Sequence, residues 1–213
     1  MKKLALVLAV IMLFTCAFAL PGLAEESTLD RILSQGKIVV GCSLSGMPIG
    51  GYDENGQPTG YDVDWAHRLG EVLGDEAEIV DVNGDTRIPA LTSGQIDVII
   101  ANITGNLTRA QTIDFSIPYL RCGIKMLTQA GSSYTLIEDL NKPEARVAVG
   151  RGTTGEELVL KFAPNATITY VDVYTEQLLL LQQGRVDAVF EVSTLIVFFF
   201  QAEDGIRDRD VTG

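Results

Sequence analysis

Short apolar runs alternate with amphipathic stretches along the first half of the chain. Three of the runs predict buried strands, at residues 37–41, 77–82 and 96–100. Between them, Trp65, Leu69 and Leu73 lie four residues apart and predict a helix over residues 61–73 with one apolar face. A shorter helix is predicted over residues 87–93. Strands that alternate with helices indicate βαβ units, and therefore an α/β fold with mainly parallel sheets.

The same order of elements repeats after residue 123. The pattern predicts further strands at residues 124–128, 146–149, 167–171 and 186–190. Helices are predicted over residues 136–140, 153–162 and 175–183. The Gly-x-hydrophobic-Asp corners at residues 94–97 and 184–187 correspond in the two halves. The sequence thus predicts a first lobe at residues 25–122, a hinge near residues 120–123 and a second lobe at residues 123–197.

Residues 1–24 have the pattern of an export signal, with two lysines, an apolar run and a helix breaker before small residues. The run is too short to span a membrane comfortably. Glu25 is predicted to start the mature chain, and cleavage after Ala19 is the alternative. Cys16 leaves a lipoprotein option, which the bulky Phe14 disfavours. We therefore expect export to the periplasm or to the outer face of the cytoplasmic membrane.

Composition narrows the function classes. The chain has 213 residues, of which 46% are hydrophobic, so it can bury a sizeable core. Its net charge of −12 argues against nucleic-acid binding, which needs a basic face. His67 is the single histidine, so no His-rich metal site is expected, and no cofactor is predicted. Cys42 and Cys122 leave a disulfide open, although their spacing matches no known framework.

Polar residues follow the third predicted strand. Asn102, Thr104 and Arg109 lie where small ligands bind in open α/β sheets, beyond the carboxyl ends of the strands. A hydroxyl and a guanidinium there suit a small carboxylate; the alternative is that Arg109 is a surface arginine. In the second half, Thr153 and Thr154 follow two glycines and open a helix whose N–H groups favour an anion. A phosphate loop is disfavoured because the loop has no lysine and no Walker spacing.

A longer signature includes these residues: Thr104, Arg109, Asp-Phe-Ser at 114–116 and Pro-Tyr at 118–119. It resembles the signature of the bacterial extracellular solute-binding proteins of family 3, the amino-acid receptors of ABC importers. Other stretches agree in family order, at residues 60–64, 88–91, 93–97, 152–154 and 184–188. The resemblance implies the type II periplasmic-binding-protein fold, in which two α/β lobes close on one amino acid. It also implies a monomer whose protein partner is the membrane permease of an ABC importer.

The resemblance assigns roles to the motif residues. Arg109 would clamp the ligand α-carboxylate, and the N–H groups of Thr153 and Thr154 would reach the same group from the second lobe. Thr104 Oγ and the backbone at Asn102 would meet the α-amino group. On this interpretation the protein binds and delivers a free amino acid and is not an enzyme.

Three positions depart from the family pattern. Val192 stands where the family usually has an aspartate for the ligand ammonium. Either the amino group is bound in another way or Val192 is a sequencing error. Glu191 is the nearest carboxylate, but it is expected on the other face of the strand. Gly46 and Gly84 stand where aromatic residues usually cover the ligand side chain.

Ser43 and Arg87 remain near the predicted side-chain pocket. Arg87 directly precedes an Ile-Pro pair, a position where receptors of this group for acidic amino acids also carry arginine. The sequence therefore favours a polar, and among polar ligands an acidic, amino acid. The alternative is that Arg87 is a helix-surface residue.

Two other function classes use the same lobes. Exported dehydratases and lytic transglycosylases would need a general acid or base in the cleft, and Glu191 is the only candidate in the sequence. The sensor domain of a membrane receptor kinase would need a transmembrane helix downstream.

The last stretch, residues 198–213, breaks the composition of the chain. Residues 201–208 back-translate to a sequence that resembles a widely used sequencing-library adaptor. We therefore hypothesise that the native reading ends near Val197, that the second lobe is truncated and that the tail is not native. The alternative is a genuine C-terminal segment.

Overall fold

The computed structural model describes residues 27–196 and 206–210 of the chain. The predicted signal peptide and Cys16 lie outside the described residues. The chain divides into two compact units between Gly36 and Lys37. Within the first unit, helix α1 (Thr28–Gln35) begins after Ser27, whose hydroxyl accepts a hydrogen bond from the Asp30 N–H at 3.1 Å. It ends at Gly36 in the left-handed conformation. The sequence analysis made no prediction for this helix.

The second unit begins with a three-stranded parallel sheet. The strands of this half are β1 (Lys37–Cys42), β2 (Gly51–Tyr52), β3 (Pro58–Thr59), β4 (Glu76–Asp81) and β5 (Val98–Ile99). The sheet has the order β4-β1-β5, and β2 pairs with β3 as an antiparallel hairpin. Its helices are α2 (Tyr61–Leu73) and α3 (Arg87–Thr92). The predicted α/β class is confirmed, and the bounds of α2 are those predicted.

The rest of this unit forms a five-stranded mixed sheet. Its strands are β6 (Ile124–Gln129), β7 (Arg146–Gly150), β8 (Thr167–Val171), β9 (Ala188–Val192) and β10 (Ile206–Asp210). The order is β10-β6-β9-β7-β8; β7 is parallel to β8 and β9, whereas β6 is antiparallel to β9 and β10. The helices are α4 (Thr154–Phe162), α5 (Tyr174–Gln182) and α6 (Ser193–Ile196). Strand β10 falls in the tail, whose non-native origin stays a prediction.

Each sheet has its own apolar core. The five-stranded sheet buries side chains on both of its faces, and its largest fully buried residues include Met126, Leu127 and Phe190. A smaller cluster around Val82 and Ile96 supports the three-stranded sheet. Parallel strands that are covered on both sides read as continuous apolar runs, which is why the sequence pattern identified them. These clusters of the described residues therefore support different sheets.

Candidate functional site

A cavity of about 80 Å³ lies where the carboxyl ends of the parallel strands of both sheets meet. The first lobe contributes the loops after β1, β4 and β5, and the second lobe contributes the loops after β7 and β8 together with the end of β9. This is the place where α/β sheets bind small ligands, because strands end there and loops with free polar groups begin. Most of the predicted site residues line the cavity: Ser43, Arg87, Asn102, Thr104, Thr153, Thr154 and Glu191.

Arg109 lies beside the cavity and joins the two lobes. Its side chain is only 6% exposed, so the alternative of a surface arginine is wrong. Nη1 donates to the Thr104 carbonyl at 2.8 Å, and Nη2 donates to the Gly152 carbonyl at 3.1 Å and to Glu157 Oε1 at 3.0 Å. Asn106 Oδ1 accepts from the Arg109 backbone N–H at 2.8 Å and fixes the start of its 3₁₀ turn. The guanidinium therefore binds acceptors of both lobes at once.

Further contacts cross between the lobes around Arg109. Thr154 Oγ1 donates to Thr104 Oγ1 at 3.2 Å, and Asn106 Nδ2 donates to Glu157 Oε2 at 3.1 Å. At Gly84 the two backbones touch, because a Cβ built there would lie 2.3 Å from the Arg151 carbonyl oxygen. The lobes are thus closed against each other in this structure, and a residue without a side chain at position 84 permits the approach.

The second glycine among the departures, Gly46, also has a structural reason. A Cβ at this position would lie 3.0 Å from Leu195 Cδ2 and 3.7 Å from Tyr174 Cδ1. Second-lobe side chains therefore occupy the space beside Gly46. Tyr174 itself lines the cavity, so an aromatic surface is supplied from the opposite side.

Arg87 opens α3 and is buried, with 7% of its surface exposed, so the helix-surface alternative is wrong. Nη1 donates to the Ala101 carbonyl at 2.9 Å, whereas Nε has no hydrogen-bond partner among the described residues. Burial, together with the nearby charge of Arg109, lowers the pKa of Arg87 to about 10. The cavity wall thus holds a cation whose donors are only partly satisfied.

Glu191 supplies an acid on the opposite wall. The expectation that it faces away from the site is wrong, because Glu191 lines the cavity together with Val192. Oε2 accepts from the Val192 N–H at 2.9 Å, and Oε1 accepts from Gln177 Nε2 at 3.4 Å. Burial raises the pKa of Glu191 to about 7, although these two bonds and the charge of Arg87 favour the ionised form. Gln177 was not among the predicted site residues. Its only distinguishing feature in the sequence is a polar side chain within an apolar helical run.

Asp62 lies in the first turn of α2, where its side chain does not cap the helix but bonds outside it. Its buried carboxylate accepts from the Asn102 N–H at 2.7 Å and from the Tyr119 hydroxyl at 3.0 Å. Burial raises the pKa of Asp62 to about 6. Asp62 therefore holds Asn102, which has a φ of 47°, at the cavity rim.

The N-terminus of α4 forms the remaining wall. Thr153 is its N-cap, and Thr153 Oγ1 accepts from the Glu156 N–H at 3.3 Å while it donates to the Gly150 carbonyl at 2.7 Å. The helix start that the sequence predicted at Thr153 and Thr154 is confirmed, and both residues line the cavity. The positive end of the helix dipole therefore points toward this space.

Several other expectations can be compared with the described part of the chain. Cys42 is buried and Cys122 is exposed, and both are free thiols, so they form no disulfide. Within residues 27–196 and 206–210, the acidic, His and Cys side chains form no group that could hold a metal ion. None of the helices in these ranges has the length and hydropathy needed to cross a bilayer.

The fold and the cavity define a two-lobed α/β protein whose lobes close over a small polar site. Residues 38–177 match the family described as bacterial extracellular solute-binding proteins, family 3, and the chain belongs to this family. The glutamine-binding protein of Geobacillus stearothermophilus is 31% identical over 196 residues, which are 89% of this chain and 73% of that protein. The ABC transporter glutamine-binding protein GlnH of Bacillus subtilis is 32% identical over 170 residues, 78% of this chain and 62% of that protein.

Solved structures support the same assignment. The crystal structure of the ancestral amino-acid-binding protein AncCDT-1, a precursor of cyclohexadienyl dehydratase, superposes with a TM-score of 0.80 at 34% identity, covering 87% of this chain and 82% of that chain. The fold is therefore the type II two-lobe fold. One relative is an enzyme: the cyclohexadienyl dehydratase of Pseudomonas aeruginosa is 30% identical over 169 residues, 77% of this chain and 62% of that protein.

Proposed function

We propose that this chain is an extracytoplasmic solute-binding protein that delivers a polar amino acid to an ABC importer. One observation carries the proposal: two groups that can carry opposite charges, the buried Arg87 and the half-buried Glu191, line one cavity between two lobes, and Arg109 joins those lobes beside it. A free amino acid is a zwitterion and needs both charges to be matched. Relatives named for glutamine binding, one of them an ABC transporter component, agree with this reading. The protein acts as a monomer in the periplasm or at the outer face of the cytoplasmic membrane, with the importer permease as its partner.

In this proposal the α-carboxylate of the ligand takes the place of Glu157 on Arg109. Glu157 is 48% exposed, and half-exposed ion pairs contribute at most about 1 kcal/mol. A ligand carboxylate enclosed by the closed lobes forms a stronger bond, because charge-assisted hydrogen bonds away from water contribute about 1.5–3 kcal/mol. The N–H groups of Thr153 and Thr154 reach the same carboxylate from the second lobe.

The ammonium group of the ligand would lie between the lobes. Thr104 Oγ and the backbone of Asn102 approach it from the first lobe, and Glu191 approaches it from the second. Ser43 completes the first-lobe wall. Contacts from both lobes stabilise the closed state over the open one, and the permease would recognise the closed state. We place the lobe boundary at residues 122–123, directly before β6 joins the five-stranded sheet.

Thermal-shift measurements against the set of free amino acids test this function. The unmodified protein is expected to be stabilised by one or a few polar amino acids. Arg109→Ala should abolish the shift, because removing one partner of a buried charge pair costs about 2–5 kcal/mol. Arg68→Ala is the matched control, since Arg68 is exposed and pairs only within its own helix. A full ligand-induced shift in Arg109→Ala would remove Arg109 from the site.

An enzyme on the same fold is the second candidate function. Glu191 favours it, because burial raises the pKa of this cavity residue to about 7, which suits a general acid. The dehydratase relative makes the elimination of water the reaction to test. Incubation with a hydroxylated cyclohexadiene substrate should yield an aromatic product if this function is present, and Glu191→Gln should remove the activity. Amino-acid binding without any turnover would exclude it.

A further inference from the structure

Arg87 and Gln177 line the cavity from opposite lobes, and each carries a buried polar atom, Nε of Arg87 and Oε1 of Gln177. Neither atom has a hydrogen-bond partner in the described part of the chain. The two residues are 7% and 2% exposed, so water reaches them poorly. An unsatisfied buried donor or acceptor is costly. A ligand that satisfies both atoms therefore gains more than one that satisfies either alone.

Neighbouring groups fix the direction of each side chain. Arg87 Nη1 is held by the Ala101 carbonyl at 2.9 Å, which leaves the Nε–H as the unused donor. Gln177 Nε2 faces Glu191 Oε1 at 3.4 Å. Gln177 Nε2 is the donor of this hydrogen bond, so the side-chain oxygen of Gln177 points away from the Glu191 carboxyl group. The cavity thus presents one donor from the first lobe and one acceptor from the second.

We propose that Arg87 and Gln177 together select a carboxamide side chain on the ligand, as in glutamine or asparagine. The amide oxygen accepts from Arg87 Nε–H, and the amide NH₂ donates to Gln177 Oε1. An acidic side chain has no proton to donate to Gln177 Oε1, and it faces the charge of Glu191. A cationic side chain would be repelled by Arg87.

This inference rests on the proposed amino-acid-binding function and names the ligand class of the same site. It also changes the preference for an acidic ligand, which depended on Arg87 alone. With Gln177 included, the pair matches a group that both accepts and donates. Cavity sites built to hydrogen-bond a particular group discriminate strongly against analogues that lack it, because the buried partner is then left unpaired.

Titration calorimetry of the purified protein with glutamine, asparagine, glutamate and aspartate tests the proposal. At least one amide is expected to bind about tenfold or more tightly than the acid of equal length, since one buried unpaired acceptor separates them. Gln177→Met keeps the length of the side chain and removes the acceptor. It should lower amide affinity about tenfold and leave acid affinity unchanged or higher. Gln182→Met, at an exposed position of the same helix, should change neither.

The outcomes separate this inference from the function on which it rests. Tighter binding of an acid than of either amide by the unmodified protein would overturn the carboxamide proposal and leave amino-acid binding intact. The same conclusion follows if Gln177→Met binds with an unchanged amide-to-acid ratio. Absence of binding to every amino acid would overturn the proposed function and this inference with it. Because the unmodified protein alone gives the amide-to-acid ratio, the test holds even if Gln177→Met fails to fold.

Discussion

Replacing Asp62 by asparagine should make the protein more stable at neutral pH, although it removes a buried side chain that makes two hydrogen bonds. The carboxylate accepts from the Asn102 N–H and from the Tyr119 hydroxyl. An asparagine at position 62 can keep both contacts, because its oxygen accepts from the same N–H and its NH₂ donates to the tyrosine oxygen. The substitution then removes a buried charge and leaves the geometry intact.

The magnitude follows from the pKa of Asp62, which burial raises from 3.8 to about 6. A folded-state pKa above the unfolded value means that the native state binds more protons in this window, so stability falls as pH rises through it. The contribution is complete below about pH 4 and lost above about pH 6. The full difference corresponds to at most about 3 kcal/mol, at about 1.4 kcal/mol for each pKa unit.

Denaturant unfolding of ligand-free protein between about pH 4 and pH 8 measures this contribution. The difference in free energy of unfolding between Asp62→Asn and the unmodified protein should move by up to about 3 kcal/mol in favour of the variant as pH rises. Other titrating groups, including Glu191, are present in both proteins and cancel in the difference. A difference that does not change with pH would show that burial does not strain this carboxylate, and the reasoning would fail.

Two further predictions concern the closed arrangement of the lobes. Glu157→Gln should tighten ligand binding by up to about fivefold, because the ligand carboxylate no longer has to displace Glu157 from Arg109 and a half-exposed ion pair contributes about 0.2–1 kcal/mol. It should also increase the radius of gyration of the ligand-free protein in X-ray scattering, because the pair that joins the lobes is lost. Glu176→Gln, in the first turn of α5, is its control, and equal behaviour of the two variants would count against the cross-lobe pair. Gly84→Ala should weaken binding more than tenfold at an unchanged unfolding midpoint, since its Cβ would lie 2.3 Å from the Arg151 carbonyl oxygen. Gly105→Ala, whose Cβ would meet nothing closer than 3.5 Å, should bind normally, and tight binding by Gly84→Ala would contradict the close approach.

The elements that depend on local periodicity were predicted well. The helix Tyr61–Leu73 and the strand Thr167–Val171 have the predicted bounds, because one apolar face or one β-rich run defines each. The strand predicted at residues 186–190 instead begins at Ala188. Asp187 is the reason: its carboxylate accepts from the Arg146 N–H at 2.8 Å, so the corner continues to this residue.

The corresponding corner of the first lobe behaves in the same way. The Asp97 carboxylate accepts from the Val39 N–H at 2.9 Å, and the strand begins at Val98. The repeat of the two corners was visible in the sequence. The effect of the corners on the strand ends was not visible in the sequence, because the aspartate carboxylate of each corner accepts a hydrogen bond from a strand that is distant in the chain.

The same distinction applies to the candidate site, where residues in short motifs could be predicted and residues that depend on long-range contacts could not. Arg109 and Thr154 belong to short motifs, and residue type with spacing was enough to select them. Glu157 and Gln177 lie on helices whose patterns of polar and apolar residues resemble those of ordinary helices. Glu157 becomes important only when the lobes approach and bring Arg109 within reach, and Gln177 only when the second lobe folds and brings Glu191 within reach. A single sequence contains no record of either contact, so these partners could not be predicted from it.

The position of Arg109 between the lobes has a consequence for how such a receptor can diversify. The Arg109 side chain both joins the two lobes and, on our proposal, binds the α-carboxylate that every amino acid shares. A mutation there would damage affinity and domain motion at once, so the position offers little freedom. Arg87 and Gln177 neither join the lobes nor, on our proposal, bind the part that every amino acid shares. New ligand preferences can therefore arise by substitution at those two positions, while the contact of Arg109 with the shared part of the amino acid and the movement of the lobes stay as they are.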